Sequence, residues 1–169
     1  MAFDDNEDVY VVDYSNNELP LEIASPTIFK VKIENEEKYK AWKKVNVIPQ
    51  KQEGLYAIGI KVPLGDFYTD KARLLADLIK NYAGNELRLS LRQDILIRHV
   101  KEELLPFFYV ELNKLGFAEI GYNSTLDITA CPGTDTCNLG IASSTGIASA
   151  LTKVLKEEYP EYASNKEIT

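Results

Sequence analysis

With 45% hydrophobic and 27% charged residues over 169 positions, the chain has an ordinary globular composition. At this length folding buries about 70% of the unfolded surface, so no disulfide or metal staple is needed. Nineteen Lys and Arg against 26 Asp and Glu leave a net charge of −7, which excludes general nucleic-acid binding and makes any anion site a local one. No apolar run approaches the ~18 residues of a membrane span, and the acidic start Met1-Ala-Phe-Asp-Asp-Asn-Glu-Asp8 is unlike a secretory signal, so a cytoplasmic address is expected.

Residues 1 to 27 mix acidic and turn residues around one β-prone run, Val9 to Tyr14, and read as an irregular approach. Phe29 to Ile33 alternates like a strand, and Glu36 to Lys44 like a short surface helix carrying Tyr39 and Trp42 inward. A polar, turn-rich connector spans Asn46 to Gly54, with Lys51 as a possible further donor. Leu55 to Val62 is β-branched and aromatic and is stopped by Pro63-Leu-Gly65. Thr69 is expected to cap a helix from Asp70 to Tyr82, with Ala72, Leu75, Ala76 and Ile79 at helical spacing and Gly84 as the stop.

Between Glu86 and Val100, Leu87, Leu89 and Leu91 alternate with Arg88, Ser90 and Arg92, Gln93-Asp94 marks a turn or bulge, and Ile95 to Val100 resumes a strand. Lys101 to Leu115 is a second helix ended by Gly116, with Pro106 tolerable only in its first turn. Phe117 to Ile120 reads as a further short strand. The order strand, helix, strand, strand, helix, strand over residues 54 to 120 is the α+β, ferredoxin-like βαββαβ arrangement, in which both helices cover one face of an antiparallel sheet. Leu139 to Leu155 reads as a helix capped by Ser143, Ser144 or Thr145, and Tyr162 to Thr169 as the start of a strand.

Cys131 and Cys137 bracket Pro-Gly-Thr-Asp-Thr. This spacing differs from the Cys-x2-Cys of zinc ribbons and thioredoxin-type sites, and it can wrap a larger object such as an iron–sulfur cube. Two reduced cysteines serving as small apolar residues account for the pair equally well. A cube takes four ligands, whereas the chain offers two thiols and a single histidine, His99, placed in a strand. Arg88 and Arg92, with Ser90 between them, suit a bidentately held anion on the sheet face that the helices leave bare; a solvated face explains them as well.

Four segments carry a resemblance: Asn46 to Leu55, Val62 to Asp66, Leu87 to Gln93, and Thr129-Ala-Cys-Pro-Gly-Thr-Asp-Thr-Cys-Asn-Leu-Gly140. Over about residues 42 to 157 the chain resembles the siroheme-dependent nitrite and sulfite reductases. The resemblance implies three parts: an approach segment over 1–45 with a short strand and helix, a ferredoxin-like half-domain over 46–121, and a truncated start of the [4Fe-4S]/siroheme domain over 122–169. It implies that Cys131 and Cys137 are two of four [4Fe-4S] ligands, the others lying in a later motif, and that Arg88, Arg92 and Gln93 stand on the siroheme side of the sheet.

On this resemblance the chain is a fragment of a parent that reduces nitrite to ammonia or sulfite to sulfide. The parent would carry siroheme and a [4Fe-4S] cluster and take electrons from a ferredoxin or a reductase subunit. The partners are then the missing parts of the same polypeptide, with no nucleic acid and no membrane. The fragment alone is expected to be inactive and to bind no cofactor. Three other readings use the same residues. A ferredoxin-like regulatory module that dimerises through its bare face predicts an apolar face, against the Arg88/Ser90/Arg92 row. A Cys131/Cys137 redox switch lacks a nearby cation to lower a thiol pKa. Precorrin-type relatives of the siroheme enzymes share the fold and a similar motif.

Overall fold

The computed structural model describes residues 31–162 and Asn165. The Val9 to Tyr14 run and most of the expected C-terminal strand lie outside these residues. Of the strand expected at Phe29 to Ile33, only residues 31–33 are described, and they form none.

Helix α1, Glu36–Asn46, begins where the Asn35 side chain accepts the Lys38 N–H at 2.9 Å. Glu36 and Glu37 in its first turn and Lys43 and Lys44 in its last complement the helix dipole. Trp42 is fully buried, its ring 6.1 Å from Tyr39 and 5.2 Å from Tyr109. The chain then enters strand β1, Val47–Pro49, antiparallel to β2, Leu55–Ile60. The stretch read as a connector therefore contains a strand, short enough for Pro49 to sit at the sheet's edge.

Helix α2, Thr69–Tyr82, differs from expectation at its start: Thr69 is its first residue, and Tyr68 precedes it without a side-chain cap. Strands β3, Leu87–Leu89, and β4, Ile95–Lys101, complete a four-stranded antiparallel sheet of order β1-β2-β4-β3. Lys101 ends β4 instead of opening a helix. A 3-10 turn at Glu102–Leu104 leads into α3, Leu105–Leu115, which has Pro106 in its first turn. Gly116, at φ +79°, closes α3 by donating to the Leu112 and Asn113 carbonyls, a backbone conformation that favours glycine. The last helix, α4, spans Ser144–Glu157, and Ser143 caps it by accepting the Gly146 N–H at 3.2 Å. It starts five residues after the expected Leu139.

Ile58, Ile60, Ile95, Ile97 and Val100 of the sheet share one core with Leu75 and Ile79 of α2 and Phe108 and Leu112 of α3. Both helices thus cover the same face, as the βαββαβ reading requires. The sixth element is missing: residues 117–120 form no strand. β1 already holds the edge of β2 through Tyr56, Ala57 and Ile58. Beyond it, the buried Asn46 amide donates to Gly59 O at 3.0 Å and to Glu119 O at 2.9 Å. One side chain thereby joins this segment to the sheet where a ladder was expected.

β4 carries one residue more than β2 between the pairs Tyr56↔Val100 and Ile58↔Ile97. His99 takes up the excess at φ +59°, and its ring packs where a Cβ on Gly84 would meet Nδ1 at 2.7 Å. We predict that Asn46→Ala, which strips two carbonyls of their donor, lowers stability by about 2–4 kcal/mol in urea unfolding, well beyond a surface Asn→Ala control.

Candidate functional site

The sheet face opposite the helices is not bare, contrary to expectation. Ala57 and Leu96 pack there against Tyr122, with Ile48 beside them. The Tyr122 ring lies so close over Gly59 that a Cβ would come within 2.2 Å of it. Gly121 to Asp127 forms a buried loop in which the Ser124 hydroxyl donates to Gly121 O at 2.8 Å. The cover is the chain's own segment leading to Cys131.

Arg88 pairs in register with Leu96 and therefore projects to this face, as expected. Its guanidinium lies 3.3 Å from Glu86, which also stands 3.5 Å from the buried Arg98. Arg98 escaped the sequence reading because a charge inside Ile95 to Val100 looked like part of an apolar strand. Ser90 and Arg92 do not continue the Arg88 row, since both lie in the β3–β4 turn. Ser90 Oγ accepts the N–H groups of Arg92 at 3.1 Å and Asp94 at 3.2 Å, fixing that turn. Gln93, at φ +69°, donates through Nε2 to Ala130 O at 3.0 Å, and its Oε1 accepts the Ala130 N–H at 3.4 Å. Thr129 Oγ1 donates to Arg92 O at 3.5 Å. The turn thus holds the two residues that immediately precede Cys131. Lys51 is exposed in the β1–β2 turn.

Cys131 and Cys137 are both free and exposed. Cys131 Sγ lies 3.4 Å from the hydroxyl of Ser144, the first residue of α4. That hydroxyl first, and then the Gly133 N–H, pull the Cys131 thiol below its ordinary pKa. Gly133, at φ +57°, comes so close to Ser144 that a Cβ would lie 2.7 Å from its hydroxyl, and Gly140 has a Cβ position 2.9 Å from Thr134 N. These two glycines let the cysteine loop fold flat on itself and on the start of α4. The Cys137 N–H donates to Gly133 O at 2.9 Å.

A groove of about 360 Å³ opens beside Cys131, lined by Ala130, Ser144, Ile147, Ala148 and Leu151. Among the described residues no group of three or more His, Cys, Asp or Glu could hold a metal.

A four-stranded antiparallel sheet with both connecting helices on one face makes this an α+β, ferredoxin-like half domain. Residues 48–115 match the family model described as the nitrite/sulfite reductase ferredoxin-like half domain. A ferredoxin–nitrite reductase of Synechococcus elongatus is 29% identical over 120 residues, which cover 69% of this chain and 23% of the relative. A chloroplastic ferredoxin–nitrite reductase of Betula pendula is 30% identical over 123 residues, covering 70% and 21%. One from Arabidopsis thaliana is 46% identical over 55 residues, 32% of this chain and 9% of the relative. The chain spans about a fifth of the length of the first two relatives. These matches support the nitrite/sulfite reductase family, and the family model ends before the cysteines. Among the described residues no helix is long and apolar enough to cross a membrane.

Because the hydrogen bond between Cys131 Sγ and the Ser144 hydroxyl favours the ionised thiol, Ser144→Ala should raise the Cys131 pKa and slow its alkylation near neutral pH by about twofold or more. Peptide mapping by mass spectrometry after timed iodoacetamide labelling measures this, with Ser149→Ala as the control.

Proposed function

We propose that the chain is part of a nitrite or sulfite reductase, comprising one ferredoxin-like half-domain over 46–121 and the start of the cofactor-binding region over 122–169. The observation carrying this reading is the Cys131/Cys137 loop, seated on the N-terminus of α4 directly behind a half domain of matching family. In the parent enzyme these two thiolates hold one side of a [4Fe-4S] cluster, and two further ligands come from elsewhere in the polypeptide. When bound, the cluster and siroheme would relay electrons from the external donor, six in all, to the substrate anion.

The residues of this chain bind and position. Arg88 and Arg92 offer guanidinium groups to siroheme carboxylates, which they can hold bidentately. Gln93 holds the backbone of Ala130, the residue before Cys131. Nitrite is the favoured substrate and ferredoxin the favoured donor, because the relatives are named ferredoxin–nitrite reductases. The cytoplasmic address read from the acidic start is kept as a proposal, beside relatives named as chloroplastic. The 169-residue chain alone is inactive, since half a ligand set does not hold the cluster.

The test uses the protein encoded by the whole natural reading frame. Purified anaerobically, it should contain iron, acid-labile sulfide and siroheme absorption, and reduce nitrite with reduced ferredoxin. Cys131→Ser and Cys137→Ser should each lower sulfide content to near background, and joint Arg88→Ala and Arg92→Ala should lower siroheme content at unchanged thermal stability. A full-length protein lacking iron and sulfide, or one keeping its cluster in both cysteine variants, would overturn the reading.

A further inference from the structure

Lys61, Asp94 and Asp127 lie buried with Tyr122 on the sheet face away from the helices, and none of the roles assigned above uses them. Asp94 immediately precedes β4. Its Oδ1 accepts the Val62 N–H at 2.8 Å. Its Oδ2 is buried, and among the described residues no N–H or O–H donor reaches it. The side chain facing it is another carboxyl, that of Asp127, whose own Oδ2 accepts the Asn123 N–H at 2.8 Å.

Two buried carboxylate oxygens repel each other as anions, and a proton between them turns the repulsion into a hydrogen bond. The surroundings favour that proton. Lys61 is a cation that acts on both acids; burial weakens its charge and Lys156 opposes it, while Glu119, Asp127 and Asp94 support it. Tyr122 is held neutral, chiefly by burial and then by the two acids, with Arg92 acting against them. One hindered cation does not balance two carboxylates. Burial first, and then Asp127, push the Asp94 carboxyl up to about 8, against the opposing pull of the Val62 N–H and Lys61.

We propose that Asp94 and Asp127 are positioning residues that share one proton, and that their acid–carboxylate hydrogen bond fastens the segment leading to Cys131 onto the sheet. Asp94 belongs to the same turn as Gln93, so one turn grips the segment twice, at Asp127 through the acid pair and at Ala130 through the amide. The inference stands whether or not the chain serves a reductase.

The sign of the pH dependence follows from a folded-state pKa above the ordinary carboxylate value. The folded chain takes up a proton that the unfolded chain releases, so this contribution is full below about pH 4, falls as pH rises and is gone above about pH 8. Asp94→Asn mimics the protonated acid at every pH, because its Oδ1 still accepts from Val62 and its Nδ2 donates to Asp127. Asp94→Ala removes both bonds.

Carboxyl ¹³C NMR of the wild-type 169-residue chain should show one of the two aspartates titrating near neutral to alkaline pH. Hydrogen exchange corrected for intrinsic rates should show protection of amides 122–127 falling by about tenfold to a hundredfold between about pH 6 and 9 in wild type, and by less than about twofold in Asp94→Asn. Should Asp94→Ala fail to fold, the wild-type titration still decides. Both aspartates titrating in the ordinary carboxylate range, or an undiminished alkaline loss in Asp94→Asn, as deprotonation of Lys61 would give, overturns the proposal.

Discussion

A Cβ at position 59 would stand 2.2 Å from the ring carbons of Tyr122, so the loop that carries Tyr122 can lie on the sheet only while that residue is glycine. The carbonyl of the same residue accepts from the Asn46 amide, which also holds Glu119 O. Gly59 therefore meets the returning chain twice, once through the hydrogen it presents to an aromatic ring and once through its backbone oxygen. Lifting Tyr122 would unroof Ala57 and Leu96 and wet the acids that lie beneath the same loop. The path from Phe117 to Cys131 is laid down by this contact and not by a strand pairing.

The two faces of the sheet answer to different demands. The helix side is an unbroken apolar core from Trp42 to Phe117, and its burial supplies the favourable free energy of folding. The other side holds Lys61, Asp94, Arg98 and Asp127, all buried. Each costs free energy to remove from water unless a partner compensates, and hydrophobic replacements of such pairs are commonly neutral or stabilising. Stability alone gives no reason to keep four ionisable groups there. Arg98 and Glu86 restrain the guanidinium of Arg88, while Asp94 and Asp127 restrain the loop, so charges on this face serve to place other groups.

The helices were legible because their apolar residues recur at the helical period and their ends carry the chemistry of ends, as at Asn35, Ser143 and Gly116. The strand at 117–120 was misread for a physical reason: its residues suit a strand, but a side-chain amide from α1 takes the hydrogen-bonding place a strand would fill, and no local pattern records that. β1 was missed because Pro49 and the turn residues after it outweigh two β-branched positions. The arginine row dissolved because Ser90 bonds to the backbone of its own turn and carries Arg92 away from Arg88. Cys131 and Cys137 stood out as a motif, whereas Gln93 could be placed near them only through the resemblance, and its contact with Ala130 spans 37 positions that no periodicity connects. Asp94 looked like a turn residue and nothing more, since burial of a carboxyl is a property of what lies over it.

The two cysteines are not held alike. Cys131 is fixed from both sides: Gln93 grips the backbone of its neighbour Ala130, and Ser144 reaches its sulfur from the start of a helix whose N-terminus favours negative charge. Those restraints come from elements distant in sequence, and they favour the thiolate, the form in which cysteine binds metal or attacks. Cys137 is tied through its backbone to Gly133 and Gly140, within its own loop. The loop between the two sulfurs turns at Gly133, whose positive φ and lack of a Cβ let it lie against the start of α4.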